Sequence, residues 1–166
     1  MDINNPFYLD VLKTLVKSKV EFILIGGLAV SFHGYSRYTG DMDLWLKPDK
    51  SNLNKLYEAL LGLGYPEDIV NNIRNKREID NPTPIKLKDD QGILKIDLMT
   101  NTFQSDFSWQ ECFDNCQEIN LESITIPVVH INHLIQMKEN SKRLEDSLKD
   151  LVDAQELKKI RQLKNQ

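Results

Sequence analysis

Two aspartates separated by a single residue inside an otherwise apolar run, Asp41-Met42-Asp43-Leu44-Trp45-Leu46, constrain this chain more than any other feature. The apolar frame reads as a strand. Residues two apart on a strand project from the same face, so the two carboxylates emerge side by side. Like charges so placed repel each other and resist desolvation unless a cation neutralises them. A hard divalent ion is the simplest resolution. Upstream, the short apolar run Glu21-Phe22-Ile23-Leu24-Ile25 stops at Gly26-Gly27, with thirteen residues between this pair and Asp41. Glycines after a strand often mark only a tight turn, but their missing side chains also let backbone N–H groups and a helix N-terminus approach a phosphate.

A third acid lies in Gly92-Ile93-Leu94-Lys95-Ile96-Asp97-Leu98-Met99. Asp97 is framed by Ile96 and Leu98, and carboxylates are rarely buried unless paired or metal-bound. Asp41, Asp43 and Asp97 on neighbouring strands would make a pocket for one or two Mg²⁺ (or Mn²⁺) ions. Ions there would hold a triphosphate, neutralise charge on a transferred phosphoryl group and lower the pKa of an attacking hydroxyl. Asp97 is also placed to take that proton as general base.

Local patterns supply the rest of the layout. Phe7 to Lys17 carries a helical stripe (Leu9, Leu12, Leu15, Val16) behind Pro6 in the first turn. Leu28 to Phe32 opens a second helix that ends near Gly34, and Asp41 to Leu46 is the next strand. Asp49 or Ser51 caps a third helix to about Leu63, burying Leu53, Leu56, Leu60 and Leu61. Residues 66–82 read as a short helix followed by a loop. Pro84 to Lys88 and Gly92 to Met99 form a hairpin around Asp89-Asp90-Gln91-Gly92. A short helix spans Ser108 to Asn115, and Glu118 to Leu121 and Ser123 to Val129 are strands. The end is helical, Ile131 to Glu139 and then Leu144 to Leu163, with Leu144, Leu148, Leu151 and Val152 forming its buried face. No internal repeat or low-complexity segment interrupts this order.

Composition narrows the class of protein. A chain of 166 residues, 40% hydrophobic, has the usual size of one domain. The expected division is a sheet-containing core over about 1–129 and C-terminal helices over about 130–166. No apolar stretch of the ~18 residues needed to cross a membrane occurs, and the N-terminal residues lack a signal-peptide pattern, so a soluble cytoplasmic protein is expected. Cys112 and Cys116 lack the spacing of a redox or zinc motif and read as buried or half-buried free thiols. His130 and His133, three apart at a helix start without a Cys or acid partner, read as structural. His33, close to the glycine pair, is assigned to packing or capping, with nucleotide contact the alternative.

The net charge of −4 and a pI near 5.4 exclude the overall electrostatic footprint of a tight nucleic-acid binder. Two basic runs stand against that average, Arg74, Lys76, Arg77, Lys86 and Lys88, and Lys158, Lys159, Arg161 and Lys164. Solvated faces are their default explanation.

Together the residues Gly26, Gly27, Asp41, Asp43 and Asp97 resemble the DNA polymerase β-like nucleotidyltransferase superfamily, whose pattern is strand, Gly-Gly or Gly-Ser, about a dozen residues, Asp-x-Asp, and a third acid on a later strand. Tyr35-Ser36-Arg37-Tyr38-Thr39-Gly40-Asp41-Met42-Asp43 is similar to the Arg-x-Thr-x-Asp-x-Asp form of stand-alone bacterial members, including toxin-like and abortive-infection-type proteins. Leu134 to Lys138 and Lys149-Asp150-Leu151-Val152-Asp153 resemble a C-terminal helix signature of that subgroup. The resemblance implies an α+β fold, a mixed sheet flanked by helices, with a C-terminal helical region closing one side of a cleft.

It further implies Mg²⁺-dependent transfer of a nucleoside monophosphate from an NTP to a hydroxyl or phosphate, with pyrophosphate leaving. Asp41, Asp43 and Asp97 would be catalytic and hold the metal, while Gly26 and Gly27 hold the phosphates. Arg37 either grips a phosphate or pairs with Asp41 or Asp43, and Thr39 either bonds a phosphate oxygen or satisfies the turn. Lys149 would face the triphosphate, with Lys138 or Arg143 the alternatives. Where this chain has Gly27, many members have a serine. Acceptors implied by the resemblance are a small molecule such as an antibiotic, a tRNA end or a protein side chain, and a toxin would have an antitoxin partner. A catalytically silent member that binds nucleotide or a protein is the rival expectation.

Overall fold

The computed structural model describes residues 3–76, 83–102, 107–141 and 147–164. It begins with α1 (Pro6–Lys17), where Asn5 caps the helix by accepting from Phe7 N–H at 3.0 Å and Pro6 occupies the first turn. β1 (Phe22–Ile25) is buried throughout and runs directly into α2 (Gly26–Phe32). β2 (Met42–Leu46) follows, then α3 (Lys50–Gly62), capped by Asp49, whose carboxylate accepts from Asn52 N–H at 2.7 Å. Asn52 is itself buried. Its amide brackets both the N–H and the C=O of Glu21 at 2.7 and 2.8 Å, which ties the helix to the strand pair below.

α4 (Glu67–Lys76) precedes β3 (Ile85–Lys88) and β4 (Lys95–Met99). The Asp89 carboxylate accepts from Ile93 and Leu94 N–H and so fixes the turn between them. α5 (Trp109–Asp114), β5 (Gln117–Leu121), β6 (Ile124–Val128), α6 (Ile131–Glu139) and α7 (Ser147–Lys164) complete the chain.

The six strands form one mixed sheet in the order β3-β4-β2-β1-β6-β5. β1 pairs antiparallel with β2 and parallel with β6, and β2 pairs parallel with β4. The outer pairs β3/β4 and β5/β6 are antiparallel hairpins. The register sorts the side chains. Phe22 and Leu24, Met42, Leu44 and Leu46, Ile96 and Leu98, and Ile85 and Leu87 share one wholly buried apolar face. The opposite face carries Ile23, Trp45 and Met99 toward one end and Asp43, Asp97, Lys86, Lys88 and Lys95 toward the other, where Ile25 sits directly opposite Asp43. A polar end of an otherwise apolar sheet is therefore written into the strand phase. α2 lies against β1 and β2 and also meets α6, while α6 packs on α7. This is an α+β architecture with its helices flanking a mixed sheet.

α7 departs from expectation. Leu148, Leu151 and Val152 are exposed, and the inward residues are Asp150, Asp153, Ala154 and Leu157. Leu144 lies outside the described residues. The apolar stripe does not choose the buried face here because two carboxylates on the other face find cationic partners inside the protein. Among the described residues no helix is long and apolar enough to cross a membrane.

Candidate active site

Asp43 and Asp97 are direct cross-strand partners on the parallel pair β2/β4, and Asp41 stands one step before β2. One carboxylate oxygen from each of the three lies within 4.8 Å of the others. Asp97 is 8% exposed and the other two are half-buried. The three side chains that the sequence singled out thus converge. They offer oxygen donors alone, without imidazole or thiolate, which suits a hard ion such as Mg²⁺ or Mn²⁺.

The diglycine turn lies against this cluster. Gly26 has φ of +67°, and a Cβ there would fall 1.9 Å from Asp43 Oδ2. Only glycine adopts that backbone without strain and leaves the carboxylate its place. A Cβ on Gly27 would lie 2.4 Å from Thr39 Oγ1 and 3.1 Å from an Arg37 guanidinium nitrogen. The space a side chain would take at Gly27 is filled by Thr39 and Arg37. Thr39 is buried, and its hydroxyl donates to Asp41 C=O at 3.4 Å, so it supports the turn into β2.

Arg37 does not pair with Asp41 or Asp43. Its guanidinium grips Asp153 of α7 through two bonds of 2.6 and 2.7 Å and donates a third to Tyr38 C=O at 2.8 Å. Asp153 is completely buried and also receives Lys138 of α6 at 3.0 Å, while Lys138 meets Asp150 at 2.6 Å. The signature residues on α6 and α7 thus form a buried ion-pair network that fastens both helices beside β2. Lys149 is exposed and has no ion pair among the described residues. Gly27, Asp41, Asp43, Lys138, Lys149 and Asp150 line a small open cleft, with Arg37 and Thr39 in its wall. Arg143 lies outside the described residues.

Lys86, which the sequence offers only as one member of a basic run, is brought to the acid cluster. It is the cross-strand partner of Asp97 from β3, and its ammonium sits 3.0 Å from the carboxylate. The alternation Ile85-Lys86-Leu87-Lys88 against Lys95-Ile96-Asp97 was the available signal, but it needed the hairpin register.

The histidines and cysteines stay outside the cluster. His33 is buried with Nε2 2.8 Å from Val129 C=O and Nδ1 without a partner among the described residues, and burial holds its pKa below the usual value. His130 caps α6 by accepting from Asn132 N–H at 3.3 Å, and His133 packs against Phe107. Burial pushes the thiols of Cys112 and Cys116 up to about 12, which removes them from thiolate chemistry near neutral pH. Trp45 is core, its indole donating to Thr100 C=O at 3.3 Å.

A family profile described as "Nucleotidyl transferase of unknown function (DUF2204)" matches residues 5–165. The chain belongs to that family. No curated protein sequence matches it. Among solved structures it is similar to an antigenic nucleotidyltransferase-like protein from Paracoccidioides brasiliensis, with a TM-score of 0.52 and 14% identity over 91% of this chain and 73% of that one. At that identity the likeness speaks for the fold. Membership rests on the profile, which spans α1 to α7 and therefore every residue of the acid cluster and of the ion-pair network. Neither comparison assigns the chain to the toxin-like subgroup.

Proposed function

We propose that this protein transfers a nucleoside monophosphate from an NTP to an acceptor hydroxyl or phosphate. The observation that carries the reading is the convergence of Asp41, Asp43 and Asp97 beside Gly26 and Gly27. In the reaction, the acceptor oxygen forms a bond to the α-phosphorus, the bond from that phosphorus to its bridging oxygen breaks, and pyrophosphate leaves. The three carboxylates would hold Mg²⁺ or Mn²⁺, which when bound neutralises charge on the phosphoryl group and lowers the pKa of the attacking hydroxyl.

The chain's own residues divide the remaining work. Asp97 takes the acceptor proton. Gly26 and Gly27 let the backbone at the start of α2 come close to the phosphates. Lys149, extended into the cleft from α7, meets the triphosphate as a point charge. Arg37 and Lys138 act as positioning residues, because their charge is spent on Asp150 and Asp153. Holding the reactants in line supplies most of the rate, with no covalent intermediate.

One observation favours a second reading, a catalytically silent nucleotide binder. Among the described residues, two of the three cations that line the cleft are held in ion pairs, which leaves a triphosphate fewer free partners. Label transfer from α-labelled NTPs in Mg²⁺, with Asp43→Ala as control, separates the two. An enzyme transfers label and loses transfer in the variant. A silent member is stabilised by Mg²⁺·NTP and transfers nothing.

A further inference from the structure

The strand register sets charged side chains in one row across the sheet. Lys86 of β3 is directly opposite Asp97 of β4, and Asp97 is directly opposite Asp43 of β2, all on the same face. Asp97 therefore has a carboxylate on one side and an ammonium on the other. Neighbouring strands lie about 4.8 Å apart, close enough for each member of the row to feel the next. The Lys86 ammonium closes to 3.0 Å from Asp97 Oδ2.

Edge protection does not account for this contact. Lysine on an edge strand discourages association with another sheet. Lys88, two residues further along and exposed, serves that purpose without an ion pair among the described residues. Lys95, on the same face of β4, likewise has no ion pair among them. Lys86 alone of the three turns its head group onto an acid of the cluster.

The two partners are held unequally. Asp97 is 8% exposed, and a carboxylate so enclosed beside two others calls for a cation. The Lys86 side chain is 56% exposed, so its ammonium reaches the acid from solvent on a flexible four-carbon stem. Such a pair is weak and readily broken. A divalent ion held by the three carboxylates competes for the same oxygens with twice the charge, and it repels the ammonium from the carboxylate they would share. On leaving, Lys86 loses one weak bond and regains its hydration. The balance favours exchange.

We infer that Lys86 is a tethered counter-cation of the acid cluster, which occupies Asp97 while the metal is away and is displaced when the metal binds. The inference rests on the reading of Asp41, Asp43 and Asp97 as metal ligands. It gives the cluster a metal-free state in which its most enclosed acid is neutralised. It also makes Lys86 a determinant of metal affinity that acts through Asp97.

Calorimetric titration of Mn²⁺ into the full chain, wild type against Lys86→Met, tests it. With the competing charge removed, Mn²⁺ binds the variant roughly tenfold more tightly. Lys86→Arg keeps the competitor and binds as wild type does. A contact that served to orient Asp97 for the ion would show the opposite sign, a loss of affinity on removal. A second readout needs no change at Lys86. The carbon NMR signal of its Cε, followed as Mg²⁺ is added to wild type, moves to the position it has in Asp97→Asn, where the pair cannot form. Equal or weaker Mn²⁺ binding by Lys86→Met, or a Cε signal that keeps its metal-free position at saturation, overturns the inference and leaves the metal site standing. If neither wild type nor Lys86→Met binds Mn²⁺, the inference falls together with the metal-binding reading of the cluster.

Discussion

At the scale of single residues, Asp41→Asn should lose stabilisation by Mg²⁺ while the metal-free melting temperature stays level or rises, since one of three mutually repelling charges is gone. These charges are legible in the sequence, as two aspartates in phase on a strand and a third in an apolar frame, because the period of a strand and the cost of like charges need no knowledge of the fold. Gly26→Ala has no such benefit. Its side chain would meet Asp43 in a left-handed backbone, so denaturant melts should show a loss of roughly 1–3 kcal/mol together with loss of metal binding. His33 supplies a pH test. Burial lowers its pKa, with the nearby Lys164 and His130 adding to the effect, so the unfolded chain binds the proton first. Stability is therefore full above the unfolded value and declines as pH falls below about 6.5, at up to about 1.4 kcal/mol per pH unit for one proton. His33→Gln should shallow that decline; the lowered pKa of His133, from its own burial, leaves a remainder.

At the scale of elements, local signals again did well and distant ones did not. Asn5 with Pro6, Asp49, and the Asp89 turn each set a boundary through contacts within a few residues. The buried face of α7 was misjudged, because the pairing of Arg37 with Asp153 spans 116 residues and nothing in the helix itself announces it. Leucines at helical spacing ordinarily face a core, yet here a carboxylate held by an arginine and a lysine occupies that side. The consequence is measurable. Leu148→Gln should change stability by no more than about 0.5 kcal/mol, whereas Leu157→Ala should cost about 2–5 kcal/mol. Arg37→Ala leaves the fully buried Asp153 with Lys138 alone and should cost about 3–5 kcal/mol, with hydrogen exchange rising across α7. Arg37→Lys recovers little of that, since an ammonium does not reproduce the two-pronged grip.

At the scale of the whole molecule, the sheet order brings β2 and β4 together although the chain visits α3, α4 and β3 between them. That parallel pairing is what makes one site of two sequence motifs, and it places the lysines of β3 on the same face. An acidic molecule thus carries a cluster of three carboxylates with a local basic margin. A bound Mg²⁺·NTP at a hundredfold excess over its Kd should raise stability by about 2.7 kcal/mol. The most direct test is calorimetric titration of Mn²⁺ into the wild type and into Asp41→Asn, Asp43→Asn and Asp97→Asn. A shared cation pocket predicts saturable binding that each of the three substitutions weakens by more than about tenfold. Binding by Asp97→Asn equal to that of the wild type would mean that the two strands do not serve one ion, and would contradict the proposal.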